Sequence, residues 1–192
     1  GCGAGLFVHF LRQRGYHAVD GYDEFDPKFP DKSVLEREYD AVVSFDVIEH
    51  VEQPREFISS ISALAGPNGL IVIGTPNAAG VLLSTPKACE LHQPFHRHIL
   101  SEKSLLDLSS RAGLELLEMQ RRYYLDTRIP GVNLRCAWEY VAGTGGLVDV
   151  LVEPLQWKWL FSGLRMRLVF FALFGYYFPP RGNMIAFFRK GA

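Results

Sequence analysis

The fold of this chain is decided by residues 39–51, which read YDAVVSFDVIEHV. The segment Tyr39–Phe45 is a β-branched apolar run of the kind that forms a buried strand. Pro54 follows where the first turn of a helix tolerates proline, and it precedes an apolar stripe at helical spacing, formed by Phe57, Ile58, Ile61 and Leu64. The stretch therefore predicts a strand, a loop and then a helix.

Further strands and helices are predicted on both sides of this unit. Helices are predicted from Leu6 to Arg14 and from Ser101, a good N-cap, to Ala112. Strands are predicted at His17–Tyr22, at Leu70–Thr75 after the turn 66–69, at Leu114–Tyr124 and at Asn183–Arg189. Strands that alternate with helices indicate an α/β fold with a mainly parallel sheet covered by helices on both faces.

A glycine-rich loop, GCGAG at residues 1–5, stands directly before the first helix. Glycines let the backbone approach a ligand closely, and a helix N-terminus presents free N–H groups. Such loops also occur in nicotinamide-binding folds and in plain turns, so the loop alone is weak. Asp23 ends the next predicted strand, at the spacing where doubly wound folds place an acid on ribose hydroxyls. Together the two features favour a nucleotide-type ligand over a solvated strand end.

Taken together, these motifs resemble the class I S-adenosylmethionine (SAM) dependent methyltransferases, especially the ubiquinone-biosynthesis O-methyltransferases. The resemblance covers roughly residues 1–124 and the final strand, and includes the loop, the segment ending at Asp23, the 39–51 stretch, the turn 66–69 and the helix ending at Gly113. It implies a Rossmann-like sheet, SAM as cofactor and an enzyme that transfers a methyl group. Nicotinamide oxidoreductases lack the 46–50 stretch, so they are disfavoured.

The resemblance also implies which residues bind the cofactor. Gly1, Cys2, Gly3 and Gly5 would bind the methionine end of SAM and Asp23 the ribose, while Phe45 and Asp46 would border the sulfonium and adenosine.

The chain departs from this family in three places. The segment between Asp23 and Asp40 is too short for the usual helix and strand, so the third strand is expected to be reduced or lost. The first strand of the family should precede Gly1, and we expect the natural protein to extend N-terminally. Residues 125–180 form an apolar insertion before the last strand, within one methyltransferase domain spanning 1–192.

Histidines are the candidate catalytic and substrate-binding residues. His50 and His96 are the candidate bases for a hydroxyl nucleophile, and His92 and His98 are candidates for contacting the substrate. For each of them a purely structural role, fixing a loop or packing under the strand end, remains open. A metal site at His92, His96 and His98 is disfavoured because Pro94 interrupts the segment and no cysteine or acid completes a ligand set, so no metal is predicted.

The insertion holds an apolar stripe at residues 157–178, with basic residues at its sides. One interpretation is a cap that closes over an apolar substrate, which is the one we prefer. The other is a helix that lies on a membrane surface and makes a peripheral contact. The apolar run from Leu168 to Phe178 is too short to cross a bilayer.

The composition excludes several classes of protein. A net charge of −1 argues against nucleic acid as the main partner. Three scattered cysteines give neither a disulfide framework nor a CxxC metal pair, and they suit a reducing cytoplasm. The sequence does not predict an oligomeric state.

The sequence predicts SAM-dependent methyl transfer to a small molecule, with oxygen preferred to nitrogen or carbon as the acceptor atom. The expected reaction is an in-line displacement at the sulfonium methyl. The alternatives are a methyltransferase that acts on a sugar or lipid-linked intermediate at the membrane surface, and a non-catalytic binding module with a degenerate SAM fold.

Overall fold

The computed structural model describes residues 1–80, 95–123, 126–137, 166–179 and 182–191. It divides into two compact units, one formed by 1–120 with 183–192 and the other by 121–182. The first contains helices α1 (Leu6–Gln13), α2 (Pro54–Leu64) and α3 (Glu102–Arg111), with strands β1 (Tyr39–Phe45), β2 (Ala65–Pro76), β3 (Leu114–Gln120) and β4 (Asn183–Lys190). The second contains helix α4 (Met166–Phe174) and the 3-10 turn Gly175–Tyr177.

The four strands form one mixed sheet in the order β1-β2-β4-β3. β1 and β2 are parallel, whereas β4 runs antiparallel to both β2 and β3. The α/β class is therefore confirmed, and the described strands β1, β2 and β3 run in one direction, as predicted for a mainly parallel sheet, while β4 runs the opposite way. Apolar runs identify strands without giving their direction, and β4 reaches the sheet after the 121–182 unit rather than after a crossover helix.

The core lies between one face of this sheet and helices α2 and α3. Ile71 and Ile73 of β2 pair with Phe188 and Ala186 of β4, and all four side chains are buried on that face. The helices contribute Ile58, Ile61 and Leu105 to the same cluster. Helix α1 approaches the opposite face, where its Phe7 ring meets the ring of Phe45 edge-on at 5.8 Å.

Local signals explain most helix boundaries. Pro54 occupies the first turn of α2, and the Ser101 hydroxyl accepts the Ser104 N–H at 3.1 Å to cap α3. Helix α1 ends before Gly15, which has a left-handed φ of 91°. These three predictions are confirmed.

Two predicted elements differ from the structure. Residues 17–22 form no strand in the described structure; instead the N–H of Cys2 donates to Tyr22 O at 3.0 Å. The predicted turn at 66–69 lies within β2, where the pairing with β1 is irregular. Tyr39 pairs with Ala65, whereas Ala41, two residues later, pairs with Leu70. The expected reduction of the third strand is matched by a single 3-10 turn, Lys32–Glu36, between Asp23 and β1.

The Leu114–Tyr124 strand is shorter than expected, since β3 ends at Gln120. Much of the 125–180 insertion, including residues 157–165 of its stripe, lies outside the described residues, as does His92.

Candidate active site

The glycine loop needs glycine for two separate reasons. Gly3 and Gly5 have left-handed φ angles of 52° and 78°, which side chains with a Cβ rarely adopt. A Cβ built on Gly5 would also overlap the ring of Phe29. Around Gly3, by contrast, a Cβ would meet nothing within 4 Å. The loop is thus packed against protein at Gly5 and open at Gly3.

Asp23 joins this loop to the segment that follows it. Its Oδ2 accepts the N–H of Gly3 at 2.8 Å, and its Oδ1 accepts the N–H groups of Phe25 and Asp26 at 2.9 and 3.1 Å. Burial alone would raise the pKa of Asp23, but the three N–H donors outweigh it and hold the pKa below its usual value. Asp23 is therefore a buried carboxylate in its charged form.

The end of β1 meets both the loop and the neighbouring strand. The ring of Phe45 occupies the space over Gly74, where a Cβ would overlap it. Asp46 turns the chain with a φ of 51° and donates its N–H to Gly74 O at 2.9 Å. A Cβ on Gly1 would lie 2.5 Å from the side chain of Val47. The loop and the end of β1 are thus in direct contact, as the cofactor prediction requires.

Glu49 is a second buried acid, fully shielded from solvent. Its Oε2 accepts the hydroxyl of Thr75 at 3.0 Å, while its Oε1 is buried without a hydrogen-bond partner among the described residues. Burial raises the pKa of Glu49, and the nearby charge of Asp46 acts in the same direction. This acid therefore favours its protonated form far more than Asp23 does.

Two of the candidate histidines lie beside Glu49. His50 Nδ1 is 2.9 Å from Phe95 O, and a carbonyl oxygen only accepts, so Nδ1 carries a proton and Nε2 is the basic nitrogen of the neutral ring. The rings of His50 and His96 are 4.8 Å apart. Both are held in place because the Glu49 carbonyl accepts the N–H groups of Arg97 and His98 at 2.8 and 3.1 Å.

A family model described as a methyltransferase domain matches residues 1–119. The match covers the glycine loop, Asp23 and the whole β1 stretch, and it accounts for more than half of the chain. The chain belongs to this methyltransferase family.

Curated relatives of this methyltransferase include ubiquinone-biosynthesis enzymes. The mitochondrial ubiquinone biosynthesis O-methyltransferase of Arabidopsis thaliana is 37% identical over 100 residues, covering 40% of this chain and 31% of that protein. The ubiquinone biosynthesis O-methyltransferase of Hydrogenovibrio crunogenus is 28% identical over 140 residues, covering 65% of this chain and 55% of that protein. The matches therefore span only about a third to a half of these relatives.

Solved structures confirm the Rossmann-like fold. A SAM dependent methyltransferase from Mesorhizobium loti aligns with a TM-score of 0.57 and 13% identity, over 99% of this chain and 88% of its own. A SAM dependent methyltransferase from Archaeoglobus fulgidus aligns with a TM-score of 0.57 and 15% identity, over 99% and 83%. At these identities the likeness shows a shared fold.

The family implies SAM as cofactor, and the loop fits such a ligand. The open space at Gly3 leaves room for a group to approach the backbone. A carboxylate has about four acceptor positions, and three on Asp23 take backbone N–H groups, which leaves about one for a ribose hydroxyl. Cys2, whose pKa burial raises, is half-buried in the same loop. The individual cofactor contacts of Gly1, Cys2, Gly3, Gly5, Asp23, Phe45 and Asp46 stay predictions.

The other candidate residues of this methyltransferase divide into two groups. His50 and His96 come together with Glu49, so that one ligand atom from each lies within 4.8 Å of the others. These three groups could hold a divalent cation, and they differ from the histidine set that the sequence suggested; the absence of a metal stays a prediction. His98 instead places Nε2 3.3 Å from Glu52 O, and its substrate role also stays a prediction.

Sequence reasoning missed Glu49, Thr75 and Phe29. An acid at the end of an apolar run, Val47-Ile48-Glu49, was a signal for a buried carboxyl. Thr75 and Phe29 gave no such signal, because their roles come from contacts with Glu49 and Gly5 across the fold.

Proposed function

We propose that this chain transfers the methyl group of SAM to a hydroxyl oxygen of a small molecule. The observation that carries the proposal is the pair of imidazoles beside Glu49, four residues beyond the end of β1 and next to the segment that contacts Gly1. Relatives named as O-methyltransferases support oxygen as the acceptor.

The glycine loop and Asp23 hold the donor in this scheme. Their backbone is fixed before the ligand arrives, since Gly3 N–H is tied to Asp23 and Gly5 is packed against Phe29. Such preorganisation contributes to rate mainly by keeping the two reactants close and aligned. SAM supplies an electrophilic methyl group on a positively charged sulfur.

In this proposal His50 is the base for the acceptor. Its Nε2 would accept the hydroxyl proton as the oxygen takes the methyl group that bound SAM would supply. Phe95 O fixes the ring through Nδ1, so in the neutral ring Nε2 is the nitrogen without a proton. His96, with its ring 4.8 Å away, is the second group able to take up the proton.

Binding and turnover test different parts of the proposal. Calorimetry with SAM measures donor binding, and formation of S-adenosylhomocysteine with catechol as acceptor measures transfer to a hydroxyl. His50→Asn retains an N–H donor for Phe95 O but removes the base, so kcat should fall about 100-fold with SAM affinity unchanged. His17→Asn, at an exposed histidine in another segment, is the matched control.

Three results would contradict the proposal. An absence of SAM binding would favour the degenerate binding module. Normal SAM binding with transfer to an aniline nitrogen but to no hydroxyl would overturn the choice of oxygen. Unchanged kcat in both His50→Asn and His96→Asn would show that these imidazoles only position the loop.

A second candidate substrate is a sugar or lipid-linked intermediate at a membrane surface. The observation that favours it is the exposed apolar side of α4 in the other unit. Transfer to an acceptor carried in lipid vesicles, compared with the same acceptor in detergent-free solution, would distinguish it from a freely dissolved substrate.

A further inference from the structure

Helix α4 and the turn after it carry an apolar stripe that faces outward. Its members recur at intervals of three and four residues, so they lie along one side of the helix. All are between 44% and 89% exposed: Met166, Val169, Phe170, Leu173, Phe174, Tyr177 and Phe178, here called the outer stripe. A surface helix ordinarily presents polar side chains in this direction.

The opposite side of the same helix is already occupied by the unit to which it belongs. Ala172 O accepts the N–H of Gly131 at 2.8 Å, and Phe171 O accepts Nδ2 of Asn133 at 3.1 Å. A Cβ on Gly175 would overlap the Asn133 amide. These contacts show which side of α4 packs against its own unit, and the outer stripe lies on the other side.

Positive charge surrounds the helix. The guanidinium groups of Arg122 and Arg128 lie 4.2 and 5.3 Å from the ring of Tyr176, and those of Arg135 and Arg167 lie 4.6 and 5.8 Å from the ring of Phe171. Across the described residues of the 121–182 unit, Asp126 is the sole acid against five arginines. The described part of this unit therefore combines an exposed apolar stripe with an excess of positive charge, which suits a partner that is apolar and anionic at once.

We propose that the outer stripe seats on the surface of a lipid bilayer that contains anionic headgroups. Aromatic and aliphatic side chains would enter the boundary between headgroups and acyl chains, while the arginines contact phosphates. A helix of nine residues is about 14 Å long, so it would lie in the surface plane. In agreement, none of the helices in the described part of the chain is long and apolar enough to cross a membrane.

A second copy of the chain fits this surface less well than a bilayer does. Two such units brought together would also bring their two sets of arginines together, and like charges in a closely packed interface are unfavourable. Anionic lipids relieve the same charge, because basic residues near a membrane are attracted to its negative surface.

Vesicle sedimentation with the full chain tests the proposal. Vesicles of phosphatidylcholine with about a third phosphatidylglycerol should bind the protein, and pure phosphatidylcholine should bind it at least tenfold more weakly. Phe170→Gln with Phe174→Gln should weaken binding to the anionic vesicles at least tenfold. Leu116→Gln with Leu117→Gln, an equally exposed apolar pair on β3, should leave binding unchanged.

Each remaining outcome would overturn the proposal. If the wild-type chain does not bind anionic vesicles, the outer stripe is no membrane surface. If the Phe170 and Phe174 changes instead abolish a dimer seen by light scattering, the stripe joins two copies. If they raise KM for the acceptor without changing vesicle binding, it is a cap over the substrate. Circular dichroism checks folding, and SAM affinity, which these variants should not change, separates this test from that of methyl transfer.

Discussion

Asp23 and Glu49 are both buried carboxyl groups near the glycine loop, yet their surroundings differ in one decisive respect. Asp23 accepts three backbone N–H groups, whereas Glu49 accepts one hydroxyl and leaves Oε1 without a partner among the described residues. The pKa is accordingly lowered at Asp23 and raised at Glu49. Burial alone therefore does not set the protonation state of an acid. The number of hydrogen-bond donors around the carboxyl group decides whether it is charged or protonated.

The largest effect is expected from Asp23→Ala. The change leaves the N–H groups of Gly3, Phe25 and Asp26 without their acceptor, and it removes the proposed ribose contact. The loop is then no longer held in place for the donor and the ribose acceptor is gone, so a loss of about 100-fold in SAM affinity, or about 3 kcal/mol, is expected by calorimetry. Glu49→Ala should affect SAM affinity much less; equal losses would remove the distinction between the two acids.

The next largest effect tests how tightly the glycine loop beside Asp23 is packed. Gly5→Ala should lower the free energy of unfolding by about 3 kcal/mol, because it adds a clash with Phe29 to left-handed strain. Gly15→Ala is the control, since Gly15 has a φ of 91° but open space around it, and it should cost about 1 kcal/mol. Equal costs in urea denaturation would show that Phe29 simply moves aside.

Much of this first unit follows from sequence, but the contrast between the two acids does not. β1 matches its predicted bounds Tyr39–Phe45 because a β-branched run is a local signal for a strand, but the prediction that this strand is buried is wrong: β1 lies at the end of the described sheet, and Ser44 is its one buried side chain. The strand predicted at 17–22 fails because pairing depends on a neighbour that the segment itself does not encode. The apolar run before Glu49 was a local signal for its burial, but its bond to Thr75 and its protonation depend on contacts across the fold.

On the Glu49 side, Thr75→Val should have an intermediate effect. It removes the hydroxyl that donates to Oε2 in a fully buried position, at an expected cost of about 1–2 kcal/mol in thermal or urea unfolding. Thr75→Ser retains the hydroxyl and should lose less. A valine variant as stable as the wild type would mean that this hydrogen bond contributes nothing to the fold.

The smallest effect is a pair of opposite pH dependences. The lowered pKa of Asp23 adds stability above the pKa of its unfolded state, and this is lost as pH falls through the folded value. The raised pKa of Glu49 acts in reverse, favouring the fold at low pH and losing that benefit as pH rises.

Replacing each acid by its isosteric amide tests the two opposite pH dependences. Relative to wild type, Asp23→Asn should become less stable as pH rises to about 4 and then level off, whereas Glu49→Gln should become progressively more stable as pH rises above about 4, each by on the order of 1 kcal/mol. Urea unfolding at several pH values measures both. Parallel slopes for the two variants would contradict the assignment of opposite charge states.

The position of β4 has a consequence for the time course of synthesis. β4 lies between β2 and β3 although it follows both in sequence, with residues 121–182 in between. A ribosome adds roughly 5–20 residues per second, so β4, which joins β3 to the sheet, is synthesised roughly 3–12 seconds after β3. Throughout that interval the nascent chain exposes an unpaired strand edge with Leu116 and Leu117 on it. Slow translation of the 121–182 unit would lengthen this exposure, so codon usage there bears directly on how much of the protein escapes aggregation.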